Sequence, residues 1–177
     1  GREVAYAEYE YYMLNKPAGV ISATEDNRCE TVIDLIESKK RKDLFPVGRL
    51  DKDTEGLLLI TNDGALAHRL LSPKKHVDKC YYAKIQGKVT QEDVLAFSKG
   101  VNIGTPEEEE WTMPGELVIE KSDEISEIRL TIQEGKFHQV KRMFAATGNK
   151  VLSLHREKMG NLYLMECLSI RVRLMIP

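Results

Sequence analysis

The chain has 177 residues, of which 42% are hydrophobic and 31% charged, a balance typical of one soluble globular domain. Its sequence contains neither an apolar run of the roughly 20 residues that a membrane span needs nor the basic and apolar start of a secretory signal. A net charge of −2 does not by itself indicate a nucleic-acid binder, and three widely spaced cysteines indicate a reducing compartment, so we expect a cytoplasmic protein.

The first third of the chain alternates between strand and helix patterns. A strand is predicted over residues 11–15 and a short amphipathic helix over residues 31–38, where apolar side chains recur at helical spacing. The compact apolar run 57–61 predicts a buried strand. A helix follows it, and either Asn62 or Asp63 is expected to cap that helix.

The rest of the chain continues the alternation. Strand periods occur around residues 81–85 and 128–132, and Thr90 with Asp93 predicts a capping box. The spacing of apolar residues from Phe137 to Thr147 predicts one face of a helix, which is followed by a strand over 151–154. Residues 100–115 are expected to form a long surface loop. This order predicts an α+β domain on a largely antiparallel sheet.

Charge is unevenly distributed along the chain. Basic residues cluster at 39–42, 74–79 and 136–142, whereas residues 107–110 form an acidic run. Such clusters either contact RNA or form solvated faces. The sequence has no metal-ligand spacing of His, Cys, Asp or Glu, no P-loop and no dinucleotide fingerprint, so we expect neither a metal nor a nucleotide cofactor.

The segment 48–56 is the first candidate site. It places Asp51, Asp53 and Glu55 among two basic residues and two glycines, directly ahead of the predicted buried strand. An acid at the mouth of a buried strand is partly desolvated, and a neighbouring cation can keep it ionised. The alternative is a charged surface loop that leads into the strand.

The segment 133–142 is the second candidate site. Its helix would bury apolar residues on one face and present His138, Lys141 and Arg142 on the other, with Gln139 beside them. A basic face near a helix N-terminus suits phosphate contacts. A solvated helix face is the alternative.

Several motifs in the same order resemble those of the RsuA class of RNA pseudouridine synthases. The resemblance spans residues 11–164, and its motifs lie at 14–19, 48–51, 57–64, 79–81 and 134–144. The last motif, together with the residues at 148–149 and 154–156, is most similar to the branch that acts on 16S rRNA. The resemblance therefore implies a pseudouridine synthase-like catalytic domain, whose two lobes are expected at about 1–75 and 76–177.

The resemblance also implies a reaction and roles for individual residues. The enzymes break the bond between uracil N1 and ribose C1′, turn the base and join C5 to C1′, without a cofactor. Asp51 is then the essential carboxylate, acting as nucleophile or base. Lys141 is its expected ionic partner, with Arg142 as the alternative, and Tyr81 packs on the uracil ring.

RNA contacts and the partner are implied in the same way. The expected RNA-binding residues are Arg49, Lys136, His138, Gln139 and Arg142. The expected partner is 16S rRNA, in a partly assembled subunit, and the enzyme is expected to be a monomer.

The sequence departs from the family pattern at both ends. Members usually begin with a basic RNA-binding domain of the S4 type, which would precede residue 1, and residues 165–177 differ from the usual closing segment. Three alternatives stay open. They are a related synthase acting on 23S rRNA, a non-catalytic RNA-binding or ribosome-assembly factor on the same scaffold, and a small-molecule isomerase or glycosidase. A glycosidase would pair Asp51 with Asp53 or Glu55.

Overall fold

The computed structural model describes residues 9–36, 43–164 and 172–173. Within these ranges the chain forms nine strands and three α-helices. In chain order they are β1 (Tyr11–Lys16), β2 (Phe45–Pro46), β3 (Glu55–Thr61), α1 (Gly64–Leu71), β4 (Lys79–Gln86), α2 (Gln91–Lys99), β5 (Glu116–Lys121), β6 (Ile125–Ile132), α3 (Gln139–Ala146), β7 (Lys150–Met159), β8 (Leu162–Tyr163) and β9 (Val172–Arg173).

All of these strands belong to one sheet, in the order β5-β6-β4-β7-β3-β1-β9, with β2 beside β3 and β8 beside β7. The strand pairs are antiparallel except for β3 and β7, which run parallel. The predicted α+β domain on a largely antiparallel sheet is therefore confirmed. The division into lobes at residues 75 and 76 stays a prediction.

Alternation along β4 and β6 places one face of the sheet against the helices. Tyr81, Ala83 and Ile85 of β4 are buried while Lys84 between them is exposed. The buried side chains of α3, such as Phe144, complete this core. Side chains at alternate strand positions share a face, which is why the period of two in the sequence predicted these strands correctly.

Strand β3 is apolar without alternation because both of its faces are covered. Leu58 and Ile60 belong to the larger core cluster, whereas Leu57 and Leu59 belong to a second cluster with the apolar face of α1. All four side chains are inaccessible to solvent. A continuous apolar run is the pattern expected of a strand buried on both sides.

Two of the predicted helix caps are present. Asp63 caps α1, since its side chain accepts a hydrogen bond from the Leu66 amide at 3.1 Å. Thr90 and Asp93 form the predicted capping box of α2. The loop over residues 100–115 is also present, and a single bridge between Asn102 and Trp111 closes it.

Two helix predictions were wrong in detail. The helix predicted over residues 31–38 is a single 3-10 turn at Ile33–Leu35 in its described part, because Ile36 is already extended. Helix α3 begins at Gln139, because His138 has a left-handed backbone with φ of 47°. Phe137 therefore lies outside the helix and is exposed instead of buried. The strand predicted over residues 151–154 is longer than expected and runs over Lys150–Met159. The predicted departure from the family pattern at residues 165–177 lies outside the described residues except at 172–173.

Candidate active site

The parallel contact between β3 and β7 brings the two candidate segments together. Asp51 lies in the turn ahead of β3, and Lys141 lies on α3, whose chain continues into β7. A cleft of about 450 Å³, open solvent at its mouth included, separates the two segments. Its lining includes Arg49, Asp51, Thr54, Tyr81, Ile132, Lys136, His138, Gln139, Lys141 and Leu154.

The Asp51 carboxylate lies between two nitrogen atoms from the second segment. Its Oδ2 is 3.3 Å from Lys141 Nζ, and its Oδ1 is 3.4 Å from His138 Nε2. Ser22 fixes the preceding residue, since its hydroxyl accepts from the Leu50 amide and donates to the Leu50 carbonyl. The turn thus presents a carboxylate, one-third exposed, to the cleft.

Lys141 is shared between two carboxylates. Its Nζ lies 2.7 Å from Asp53 Oδ1 as well as 3.3 Å from Asp51 Oδ2. Burial alone would lower the pKa of Lys141, but the bonds to the two carboxylates outweigh it and hold the pKa above its ordinary value. The hydrogen bond from Lys141 lowers the pKa of Asp53 in turn. The site therefore holds a protonated lysine beside ionised acid.

Arg142 has a different position. Its Nη2 donates to Glu110 Oε2 at 2.6 Å and to the Ile103 carbonyl at 2.8 Å, and its Nη1 donates to the Phe137 carbonyl at 2.8 Å. Its bond to Glu110 lowers the pKa of that carboxyl. Of the two cations considered as partners of Asp51, the structure places Lys141 there, while Arg142 anchors the 100–115 loop.

Gln139 is buried and supports the segment from within. Its Nε2 donates to Glu134 Oε1 at 3.0 Å, and its Oε1 accepts from the Lys136 amide at 3.0 Å. Contacts of Gln139 and Arg142 with RNA stay predictions, and both side chains hold the protein's own loops in place in the structure. Arg49, by contrast, is exposed at the rim of the cleft.

Tyr81 lies on the floor of the cleft, where it is buried on β4. Leu154 of β7 and Ile132 of β6 line the same floor. An aromatic ring and two aliphatic side chains form a surface on which a planar, weakly polar ring can lie. The carboxylate of Asp51 borders this surface.

Lys16 is a functional candidate that sequence reasoning missed. It is inaccessible to solvent, and its Nζ donates to the carbonyls of Pro17 at 2.9 Å, Lys52 at 3.1 Å and Thr54 at 2.8 Å. Burial lowers its pKa to about 8, against the opposing influence of the acids around it. Two of these carbonyls belong to the turn that carries Asp51, so Lys16 fastens that turn to β1. Its position in the motif at 14–19 was the signal that could have found it.

Thr54 is also buried in the lining of the cleft. Its backbone amide donates to the Asp51 carbonyl at 3.0 Å, which closes the turn. Its hydroxyl is inaccessible and has no hydrogen-bond partner among the described residues. Such a group is costly to bury unless a ligand pairs with it.

Among residues 9–36 and 43–164, no group of three or more His, Cys, Asp and Glu side chains is arranged to hold a metal ion. Catalysis without metal or cofactor stays a prediction. None of the helices in the described parts of the chain is long and apolar enough to cross a membrane.

A family model described as RNA pseudouridylate synthase matches residues 10–146, and these include the turn of Asp51, the strand of Tyr81 and the helix of Lys141. The chain belongs to this family.

Several bacterial RNA pseudouridine synthases are similar to this chain over most of its length. The uncharacterized RNA pseudouridine synthase YtzG of Bacillus subtilis is 51% identical over 166 residues, which cover 93% of this chain and 68% of the relative. Ribosomal small subunit pseudouridine synthase A of Vibrio cholerae is 42% identical over 168 residues, which cover 95% and 71%. The protein of the same name from Escherichia coli is 42% identical over 154 residues, which cover 87% and 64%.

Solved structures agree with this assignment. A crystal structure of a pseudouridylate synthase superposes with a TM-score of 0.86 at 38% identity, covering 97% of this chain and 73% of the other. A human RNA pseudouridylate synthase domain protein superposes at 0.59 with 18% identity and shows the shared fold alone. The protein is thus an RNA pseudouridine synthase with the α+β fold of that family.

Proposed function

We propose that this RNA pseudouridine synthase converts a specific uridine of 16S rRNA to pseudouridine, with Asp51 as its essential carboxylate. The observation that carries the proposal is the Asp51 carboxylate, 3.3 Å from Lys141 Nζ, at the edge of a cleft floored by Tyr81. The choice of 16S rRNA is supported by relatives named ribosomal small subunit pseudouridine synthase A. We expect the reaction to occur in the cytoplasm, on a partly assembled subunit.

The reaction needs an ionised carboxylate close to the ribose. The bond between N1 and C1′ breaks, the uracil turns, and C5 bonds to C1′, while the proton on C5 is lost and N1 gains one. Asp51 serves either as nucleophile or as the base that removes a ribose proton. In both cases Lys141 keeps a negative charge at Asp51 favourable in the partly dry cleft.

The uracil ring would lie on the floor of the cleft. Tyr81 would pack against its face, and the aliphatic side chains of Ile132 and Leu154 would exclude water from it. To reach this position the base must leave its stack in the RNA, which costs a few kcal/mol. Arg49, Lys136 and His138, which line the cleft, would hold the flanking phosphates.

The proposal is tested with 16S rRNA labelled with tritium at C5 of uridine, both naked and partly assembled. Wild-type protein is expected to release tritium, and Asp51→Asn is expected to release none above background while its RNA affinity stays within a few-fold. Asparagine keeps the size of the side chain and removes its negative charge. Asp53→Asn is the matched control, since Asp53 also contacts Lys141 but is mostly exposed; it should keep most of the activity.

The outcomes separate the alternatives. Normal turnover by Asp51→Asn would disprove the role of Asp51. Tritium release from 23S rRNA but not from 16S rRNA would favour the related synthase, and sequencing would then locate the uridine. Binding without release from either RNA would favour a scaffold protein that has lost catalysis.

A further inference from the structure

Phe137 is the most exposed large hydrophobic side chain among the described residues. Its side chain is 75% exposed, although it lies in the segment that lines the cleft. Its ring is stacked on the imidazole of His138, with ring centroids 3.8 Å apart and planes 19° from parallel. One face of the phenyl ring is therefore covered by His138, and the opposite face is open to solvent.

The backbone holds this pair in place. His138 has the left-handed φ of 47°, which a residue with a side chain rarely adopts and which requires support from its surroundings. That support comes from both sides, because Arg142 Nη1 donates to the Phe137 carbonyl and Gln139 Oε1 accepts from the Lys136 amide. The exposed ring is thus part of a fixed loop.

The stacked pair touches the reacting carboxylate through its imidazole. His138 Nε2 is 3.4 Å from Asp51 Oδ1, and the Phe137 ring covers one face of the same imidazole. Lys136 precedes the pair in the chain, and Arg49 lines the cleft together with His138. An occupant that offers a flat aromatic ring together with negative charge fits these neighbours, and a nucleotide of the RNA substrate has both properties.

We propose that Phe137 and His138 form a stacking platform for the base next to the uridine that enters the cleft. When the uridine leaves its stack, the neighbouring base loses a stacking partner, and the open face of Phe137 replaces it. Stacking of this kind accepts any base, so the platform contributes affinity and positioning but little sequence choice. The inference rests on the RNA substrate of the family and is independent of the choice of 16S rRNA.

The test is a double-mutant cycle between Phe137→Leu and an abasic site in the RNA. The probe is a fragment that the wild-type protein modifies, either intact or abasic at the 5′ or the 3′ neighbour of the modified uridine. With intact RNA, Phe137→Leu is expected to weaken binding roughly 5- to 150-fold, because it keeps an apolar side chain but loses the ring. With the abasic neighbour, the same substitution is expected to change binding by less than about twofold.

Controls separate stacking from damage to the fold. Phe137→Trp should restore binding, and Tyr163→Ala, which removes an aromatic ring 57% exposed outside the cleft, should leave it unchanged. Equal losses by Phe137→Leu on intact RNA and on both abasic RNAs, or no loss on any, would overturn the inference. If the wild type modifies no 16S fragment, the proposed substrate fails, and the cycle is run on the RNA that it does modify.

Discussion

The ammonium group of Lys141 contacts two carboxylates, those of Asp51 and Asp53, so the site is not an isolated ion pair. The bonds that raise the pKa of Lys141 also lower the pKa of Asp53, so both charges persist over a wide range around neutral pH. The lysine is bound on two sides by protein groups and lies 3.3 Å from the carboxylate that would react. Its position suits support of Asp51 better than contact with RNA phosphate.

Lys141→Met is therefore expected to act mainly on the rate. It leaves two carboxylates without their cation, so single-turnover tritium release should fall by about 100-fold or more at saturating RNA. The pKa of Asp53 should return toward its ordinary value. Lys136→Met is the matched control, because Lys136 lies at the rim and its ion pair is long. Its Nζ is 4.0 Å from Glu134 Oε2.

The control variant should show the opposite behaviour. Lys136→Met should keep the rate at saturating RNA but reduce the slope of log affinity against log salt by about 1, as expected for a lost phosphate contact. A Lys141→Met protein with a normal rate and a reduced salt slope would assign Lys141 to RNA binding instead.

The residues of the site could be predicted from the sequence where they belong to a short local motif. Asp51, Tyr81 and Lys141 were found through short motifs, and the structure gathers all three in one cleft. The bonds of Lys16 were not predictable, since two of its three acceptors lie more than 30 residues away along the chain. The attachment of Arg142 to the 100–115 loop was missed for the same reason.

At the scale of elements, a buried hydrogen bond joins β1 to the start of α1. Tyr11 Oη donates to Asp63 Oδ2 at 2.6 Å, while Asp63 Oδ1 accepts from the Leu66 amide at 3.1 Å. The bond to Asp63, assisted by burial, raises the pKa of Tyr11 to about 12, and the same bond lowers the pKa of Asp63. One carboxylate thus serves both as helix cap and as strand contact.

Tyr11→Phe is expected to reduce the free energy of unfolding by about 1.5–3 kcal/mol at pH 7, the usual contribution of a hydrogen bond to a charged group. Because the pKa of Asp63 is lower in the folded protein, its carboxylate stabilises the fold at pH values above the ordinary carboxyl pKa. That contribution is lost as the pH falls through the pKa of Asp63 in the folded state. The difference between the variant and wild type should therefore shrink in acid. Urea unfolding at pH 7 and near pH 3 measures it.

A second variant checks the electrostatic origin. Asp63→Asn keeps one acceptor oxygen for the Leu66 amide, puts an NH2 group where Oδ2 accepts from Tyr11, and removes the charge. The acid-dependent part of the difference should therefore disappear in that background. An unchanged difference between Tyr11→Phe and wild type at both pH values would show that the loss does not depend on the charge of Asp63.

Element boundaries were predictable only where side-chain chemistry marked them. Asp63, Thr90 and Asp93 carry capping groups, and those helix starts were confirmed. The start of α3 depends on the left-handed backbone of His138, which hydrophobic periodicity does not reveal. The same periodicity over residues 31–36 reflects burial of Val32 and Ile36 on either side of a single 3-10 turn.

At the scale of the whole molecule, the site depends on the short parallel pairing of β3 with β7, which we call the seam. It consists of two parallel register pairs, Glu55 with His155 and Gly56 with Arg156, and a bond from Arg156 Nε to the Leu57 carbonyl at 2.9 Å. Periodicity predicts which side chains share a face but not which strands are neighbours. The sequence therefore predicted β1, β3, β4, β6 and β7 but neither β5 nor the order of the strands in the sheet.

Gly56→Ala should open the seam. Gly56 has φ of 114°, and a Cβ atom there would lie 2.2 Å from the Arg156 carbonyl oxygen. We expect a loss of roughly 2–5 kcal/mol in the free energy of unfolding from strain and displaced strands. Tritium release should fall as well, because Asp51 and Lys141 approach from opposite sides of the seam.

Gly64→Ala is the matched control. A Cβ atom at Gly64 would meet nothing within 4 Å, and the residue begins α1, where alanine is favoured. Denaturant unfolding should show a loss in the free energy of unfolding that is several-fold larger for Gly56→Ala than for Gly64→Ala. Equal stability of Gly56→Ala and Gly64→Ala would contradict the close packing of the seam.

The seam also sets the order in which the chain can become active. The bond from Lys141 to Asp51 spans 90 residues and that from Arg156 to Leu57 spans 99, so both close among the longest loops of the protein. Contacts so distant along the chain form late and slow folding, because loop entropy is lost before they contribute. During synthesis, a chain released before β7 would carry the carboxylate of Asp51 without the architecture that makes it reactive. Catalytic competence therefore requires the finished fold, in which these distant segments meet.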